Sequence, residues 1–286
     1  MQDRPNFVKL FASHFANDVL NANSAPDTQQ PNKPNKHMTK TQFAALVGSL
    51  AMAGSSFAGT AAPGKQVVPP MPAAEELLGF TLSAGYDSAY LFHGTDVGEN
   101  LLWQKLEYSK ALNDKVTLSL GQWYGHLFEY EYNELDLFGG LTYNAGPINI
   151  GVGFTWYHYF QGSALENQYE PSVTISSNGL PVNIYATYFY DFEVDGSYIE
   201  AGISKSIPLC ASASLDLSAN VGYNIGYNTD EDGFNHVGVR VGLPIALSKT
   251  ATLTPYIAGN FALDATEGYF AEDNLVLGGV SIAVKF

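Results

Sequence analysis

Asn274-Leu-Val-Leu-Gly-Gly-Val-Ser-Ile-Ala-Val-Lys-Phe286 is the last stretch of the chain. Val276, Val280, Ile282, Val284 and Phe286 recur at period two on one face, while Ser281, Ala283 and Lys285 occupy the other. This alternation makes an amphipathic strand, apolar on one side and small or polar on the other. Upstream, the same pattern returns in short runs. Phe80, Leu82, Ala84 and Tyr86 alternate with Thr81, Ser83, Gly85 and Asp87. Ile148, Ile150, Val152, Phe154 and Trp156 alternate with Asn149, Gly151, Gly153 and Thr155. Leu215, Leu217, Ala219, Val221, Tyr223 and Ile225 form the clearest run, against Ser214, Asp216, Ser218, Asn220, Gly222 and Asn224. The faintest run spans residues 102–111, where Gln104 and Lys110 interrupt the apolar face. From Gly79 onward the pattern predicts about twelve strands, of which the quoted stretch is the last.

The connections between these runs alternate in length. Tight turns fall at Asn113, Gly146, Asn178, Pro208 and Lys249. Longer polar connections cover residues 94–100, 129–133, 161–167, 191–196, 228–233 and 264–273. With an even strand count, this places every tight turn and both ends of the sheet at one side, and every long connection at the other. That is the layout of a membrane barrel with short inner turns and long external loops. The long connections are acidic, with Glu129, Glu131, Asp191, Glu193, Asp195, Asp230, Glu231, Asp232, Glu272 and Asp273 among them. None of the basic residues after Gly79 falls there. The expected external mouth is therefore strongly negative, attracting cations and repelling anions.

A soluble sandwich also alternates apolar-in and polar-out. So many consecutive strands of one alternation, ending on an aromatic residue, fit a closed sheet better, because in lipid every backbone group must pair and closure removes both edges. The expected fold is all-β: an antiparallel up-and-down transmembrane β-barrel over residues 79–286, in the bacterial outer membrane. Its partners would be outer-membrane lipid and the barrel-assembly machinery, which would read the strand ending in Phe286. The closing strand should pair with residues 80–87. Tyr124, Trp156, Tyr188, Tyr190 and Phe270 should form one aromatic girdle, and Phe80, Tyr108, Tyr143 and Phe286 the other. The inward faces would carry Lys105, Glu107, Asp136, Glu200, Asp216, Arg240 and Lys285, which line or plug a narrow lumen. Gly151 and Gly153 are expected to leave space there for a large neighbour such as Tyr185.

The residues before the barrel divide into three. Residues 1–37 are polar, with no continuing pattern, and read as an extension upstream of the true start at Met38. Residues 38–58 have a basic start (Lys40), a short apolar core and Ser56-Phe57-Ala58, the signature of a secretory signal peptide cut after Ala58. Residues 59–78 hold Pro63, Pro69, Pro70 and Pro72 and read as a linker. The net charge of −15 argues against nucleic acid, which needs Lys and Arg to neutralise phosphates. Cys210 is the only cysteine, so no intramolecular disulfide or cysteine-based metal cluster can form.

Ser88-Ala-Tyr90-Leu91-Phe92-His93-Gly94 resembles the Ser-x-Tyr-(Val/Leu)-Phe-Arg-Gly opening of the TorF-like outer-membrane proteins. Ser88, Tyr90, Leu91, Phe92 and Gly94 match, whereas His93 replaces the usual Arg. The resemblance implies an outer-membrane barrel without an established substrate.

Catalytic and metal patterns are weak. The mature region has no Gly-x-Ser-x-Gly, and its histidines (His93, His126, His158 and His236) read as packing among aromatics near the external rim. Asn228-Thr-Asp230-Glu-Asp232-Gly233 opens like a calcium loop, but Val239 stands where the twelfth-position Glu belongs. Weak surface calcium contact is all that spacing offers; no cofactor and no enzymatic activity are expected. The functional expectation is a porin-like diffusion channel for cations or neutral solutes. The alternative is a non-conducting barrel for surface adhesion or divalent-bridged contact with lipopolysaccharide. A rim enzyme acting on lipid ranks third.

Overall fold

The computed structural model describes residues 78–128, 132–160, 167–268 and 274–286. The proposed upstream extension, the signal peptide and the linker up to residue 77 lie outside the described residues, as do Glu129, Glu131, Phe270, Glu272 and Asp273.

The strands are β1 (Phe80–Phe92), β2 (Thr95–Ala111), β3 (Val116–Leu127), β4 (Tyr132–Asn144), β5 (Ile148–Tyr159), β6 (Gln168–Ser177), β7 (Asn183–Asp191), β8 (Gly196–Cys210), β9 (Ala213–Ile225), β10 (Gly233–Gly242), β11 (Ile245–Ala246), β12 (Ala251–Ala262) and β13 (Asn274–Lys285). β10 and β11 both lie between β9 and β12 and form one wall strand interrupted at Leu243-Pro244. Proline has no N–H to give the ladder, so the break falls where pairing is chemically limited. The wall is thus a twelve-stranded antiparallel barrel, as the alternation predicts.

Closure follows the predicted register. Thr81 through Asp87 pair with Lys285 through Gly279. Gly79 N–H donates to the Phe286 carbonyl at 3.1 Å, and Phe286 N–H to the Phe80 carbonyl at 2.9 Å. Both sheet edges vanish.

The outward face is apolar. Leu82, Leu106, Leu120, Leu141, Ile150, Val152, Val173, Ile175, Ile203, Val280 and Ile282 are all exposed. In water so much exposed aliphatic surface would be a liability, but in lipid it is the required solvent face. Phe80, Tyr143 and Phe286 at the tight-turn end and Tyr188 at the other are exposed as girdle residues. The protein is a transmembrane barrel of the outer-membrane kind.

The structure differs from the sequence reading at residues 94–100. These do not form a polar external loop. β1 and β2 continue to Phe92 and Thr95, joined only by His93-Gly94. Both turn residues have positive φ, 48° and 76°, the arrangement of a type I′ hairpin. The outgoing arm shows no alternation because residues 89–93 are buried on both faces, whereas on the returning arm Thr95 and Val97 are buried, Asp96, Gly98 and Asn100 half-buried and Glu99 exposed.

The hairpin also leaves the wall. β1 stops pairing with β13 at Asp87, although β13 continues alongside β12 to Asn274. β2 begins pairing with β3 only at Leu101. Residues 88–100 therefore pair within the hairpin, from Ala89 with Glu99 to Phe92 with Thr95, across a bulge at Tyr90 and Leu91. Ser88 Oγ accepts the Gly278 N–H at 3.0 Å, satisfying a donor exposed by the departure. Where β2 rejoins the wall, Asn100 has φ 60° and its carbonyl accepts from Phe128 N–H.

Candidate functional site

The hairpin crosses the lumen, and its two faces pack against opposite walls. Ala89 and Leu91 lie against Leu277, with Tyr256 and Ala258 beside them. Tyr90 and Phe92 join Trp123, Tyr132, Tyr157, Tyr159, Phe189, Tyr198 and Tyr227 in a buried aromatic cluster.

Inward carboxylates are threaded through this cluster, each held by hydroxyl donors. Glu134 on β4 accepts from Tyr90 at 2.9 Å and Tyr132 at 2.7 Å. Glu170 on β6 accepts from Tyr157 at 2.7 Å and Tyr227 at 2.6 Å. Glu200 on β8 accepts from Tyr185 at 2.6 Å and from the Asn220 amide at 2.9 Å. Multiple charge-assisted donors are what a buried carboxylate needs to offset its loss of water.

His93, at the hairpin tip, sits in the middle. Its Nε2 lies 3.1 Å from Glu170 Oε2. Its ring is surrounded by Phe189, Tyr198 and Tyr227, at centroid distances of 4.8, 4.3 and 5.1 Å. The tip backbone is gripped as well: Asn228 donates to the His93 carbonyl and Asn260 to the Gly94 carbonyl, both at 2.9 Å. A Cβ on Gly94 would lie 2.6 Å from Asn235 Oδ1 and closer still to the His236 ring. Glycine is needed here for both its φ and its size.

Of the residues expected to line the lumen, Asp136 and Glu200 are buried, Lys105, Glu107, Asp216 and Arg240 are partly buried, and Lys285 is exposed. Lys105 pairs with Glu107 at 2.8 Å and lies 5.3 Å from the Phe138 ring centroid. Asp136 is buried next to Glu134 on the inward face of β4. Asp216 accepts from Ser214 at 3.3 Å. The Arg240 guanidinium stacks on Tyr256 at 3.6 Å. The sequence reading did not single out Asp87, Glu134 or Glu170. Their alternation with apolar neighbours was visible, but their convergence depends on the hairpin crossing to them. Tyr185 is accommodated by Gly202, where a Cβ would come within 2.6 Å of its ring, rather than by Gly151 or Gly153.

The acidic-mouth assignment needs one correction. Asp191 is the last residue of β7 and fully buried, with Oδ1 accepting from the Glu193 and Val194 N–H groups. It closes a turn instead of charging a solvated loop. Glu193, Asp195, Asp230, Glu231 and Asp232 are exposed. The calcium-like spacing at Asn228 has another use, since Asn228 and Thr229 are buried and hold the hairpin and the Ala265 carbonyl. Of the histidines, His93 and His236 lie in the lumen. His126 and His158 are near the long-connection end, bonded to Asn133 and Asn167 and packed on Phe128 and Phe160.

No protein-family model and no curated protein matches this chain. Solved structures do resemble it. The COG4313 outer membrane channel from Pseudomonas putida F1 aligns with a TM-score of 0.53 and 11% identity, over 74% of this chain and 97% of that one. A KdgM porin aligns with a TM-score of 0.47 and 11% identity, over 72% and 99%. LpxR from Salmonella typhimurium aligns with a TM-score of 0.45 and 12% identity, over 72% and 100%. At such identities the similarity is one of fold: this chain shares the closed antiparallel architecture of outer-membrane barrels.

Proposed function

We propose that the protein is a porin-like channel for small cations or uncharged solutes, resting closed with the β1–β2 hairpin as its gate. The sign of the lumen supports this reading. Asp87, Glu107, Glu134, Asp136, Glu170, Glu200 and Asp216 face inward, against Lys105, Arg240 and Lys285. The exposed Glu193, Asp195, Asp230, Glu231 and Asp232 add charge of the same sign outside. Such a lining concentrates cations and excludes anions. The gate reading rests on the hairpin's attachment. Residues 89–99 make no wall ladder, so lifting them out breaks side-chain contacts but leaves the barrel closed.

A second reading, a non-conducting barrel whose acidic loops make divalent-bridged contact with lipopolysaccharide, is favoured by the tightness of the plug: Tyr157 and Tyr198 are both 0% exposed. Planar-bilayer recording separates the two. Wild type should give rare, brief openings. A variant with residues 89–99 replaced by Asn-Gly, which makes a two-residue turn, should give steady conductance with a reversal potential favouring cations. Silence from both well-folded proteins would sink the channel reading.

A further inference from the structure

Below the hairpin the lumen retains a cavity of about 50 Å³, lined in part by Asp87, Leu91, Asn220, Arg240, Tyr256 and Asn260. It holds opposite charges that do not meet. Among the described residues Arg240 makes no ion pair within 4 Å, although Asp87 and Asp216 are its acidic neighbours. Each group is anchored elsewhere: the guanidinium by its stack on Tyr256 at 3.6 Å, and Asp87 Oδ2 by the Trp103 indole at 2.9 Å. A guanidinium and a carboxylate sharing a cavity normally collapse into a bidentate pair. Here rigid aromatic partners hold them apart. Three lining residues also carry a buried polar atom without a hydrogen-bond partner: Asp87 Oδ1, Asn260 Oδ1 and Arg240 Nε. Buried polar atoms are rarely left unpaired unless a ligand or water completes them.

We propose that this cavity is a binding subsite for a small zwitterion of the amino-acid class, whose carboxylate meets Arg240 and whose ammonium meets Asp87. Asp87 on β1 and Arg240 on β10 present opposite charges to one cavity, which complements a molecule bearing both charges. Its volume is that of roughly four waters, which limits the ligand to about the size of glycine or alanine. Toward the tight-turn end the inward face carries the small Ser83, Ser281 and Ala283 beside the larger Trp103 and Lys105. The subsite goes beyond the channel reading, because it concerns what the lumen holds and not whether ions pass through it.

The test is binding to the full folded protein in detergent micelles, by calorimetry and saturation-transfer NMR, with glycine, sodium acetate and methylammonium chloride as separate probes. Glycine should saturate in the millimolar range, and either single-charge probe should bind at least about tenfold more weakly. Asp87→Asn and Arg240→Gln should each weaken glycine by about tenfold or more. No saturable glycine binding to folded wild type would overturn the proposal, since the cavity would then hold only water. Acetate binding as tightly as glycine would overturn it in favour of a simple anion site. Should either variant fail to fold, the three probes on wild type still decide. The readout is occupancy rather than current, so its failure and that of the channel reading are separable.

Discussion

Ser88 Oγ on β1 accepts the backbone N–H of Gly278 on β13 at 3.0 Å. This bond marks the point where the first strand abandons the wall. One residue earlier, Asp87 still faces Gly279 in the ladder. A hydroxyl therefore takes over from a strand where β13 loses β1 as a partner.

Ser88→Ala should leave the Gly278 N–H unsatisfied, at a cost of about 1–3 kcal/mol. We expect a lower midpoint of urea unfolding in micelles and more frequent openings in bilayers. An unchanged midpoint would mean that the N–H finds another acceptor.

Gly94→Ala and Gly146→Ala form a matched pair. Both glycines have positive φ, 76° and 93°. A Cβ at Gly94 runs into His236 and Asn235, whereas nothing lies within 4 Å of one at Gly146. Gly146→Ala should cost only backbone strain, about 1–2 kcal/mol. Gly94→Ala should also unseat the hairpin, seen as higher open probability and new protease cleavage near residue 94. If the two variants behave alike, the hairpin tip is not held as described.

Glu170→Gln keeps the shape but not the chemistry. Glu170 accepts from Tyr157 and Tyr227 and lies beside His93. The Gln amide nitrogen would face a hydroxyl donor, and the negative charge that strengthens the remaining hydrogen bonds would be gone, for a loss of about 1–3 kcal/mol. The loss should appear as faster hydrogen exchange of hairpin amides, with the wall strands little affected.

Val152→Lys tests the facing of the wall. Val152 is exposed midway along β5. A lysine there should cost about 2–4 kcal/mol in lipid. Gly151→Lys, on the lumen side, should cost less in a liposome folding assay. The opposite order would reverse the assigned faces.

How far the sequence reached can be argued from individual residues. Val280, Ile282 and Val284 against Ser281, Ala283 and Lys285 sufficed to identify a closing strand, because period two is a local consequence of the pleat. The facing of Arg240, Asp216, Glu200 and Asp136 followed by the same logic. Residues 94–100 misled for a physical reason. The returning arm of the hairpin carries half-buried Asp96, Gly98 and Asn100 and exposed Glu99, a polar run that reads as a loop although it pairs with the buried residues 89–92. Asp191 misled similarly, since a carboxylate that caps a turn has the same letter as one in water.

The sequence by itself determined the strand count, the apolar outer face and which strand closes the sheet against residues 80–87, all of which follow from alternation between neighbouring residues. Only the tertiary structure decided that His93 reaches Glu170, that Asn260 on β12 holds Gly94, and that Arg240 and Asp87 share a cavity without pairing. Those contacts join residues from 77 to 166 positions apart or strands across the barrel. No local pattern encodes them, because the lumen is assembled only when the sheet closes around the hairpin.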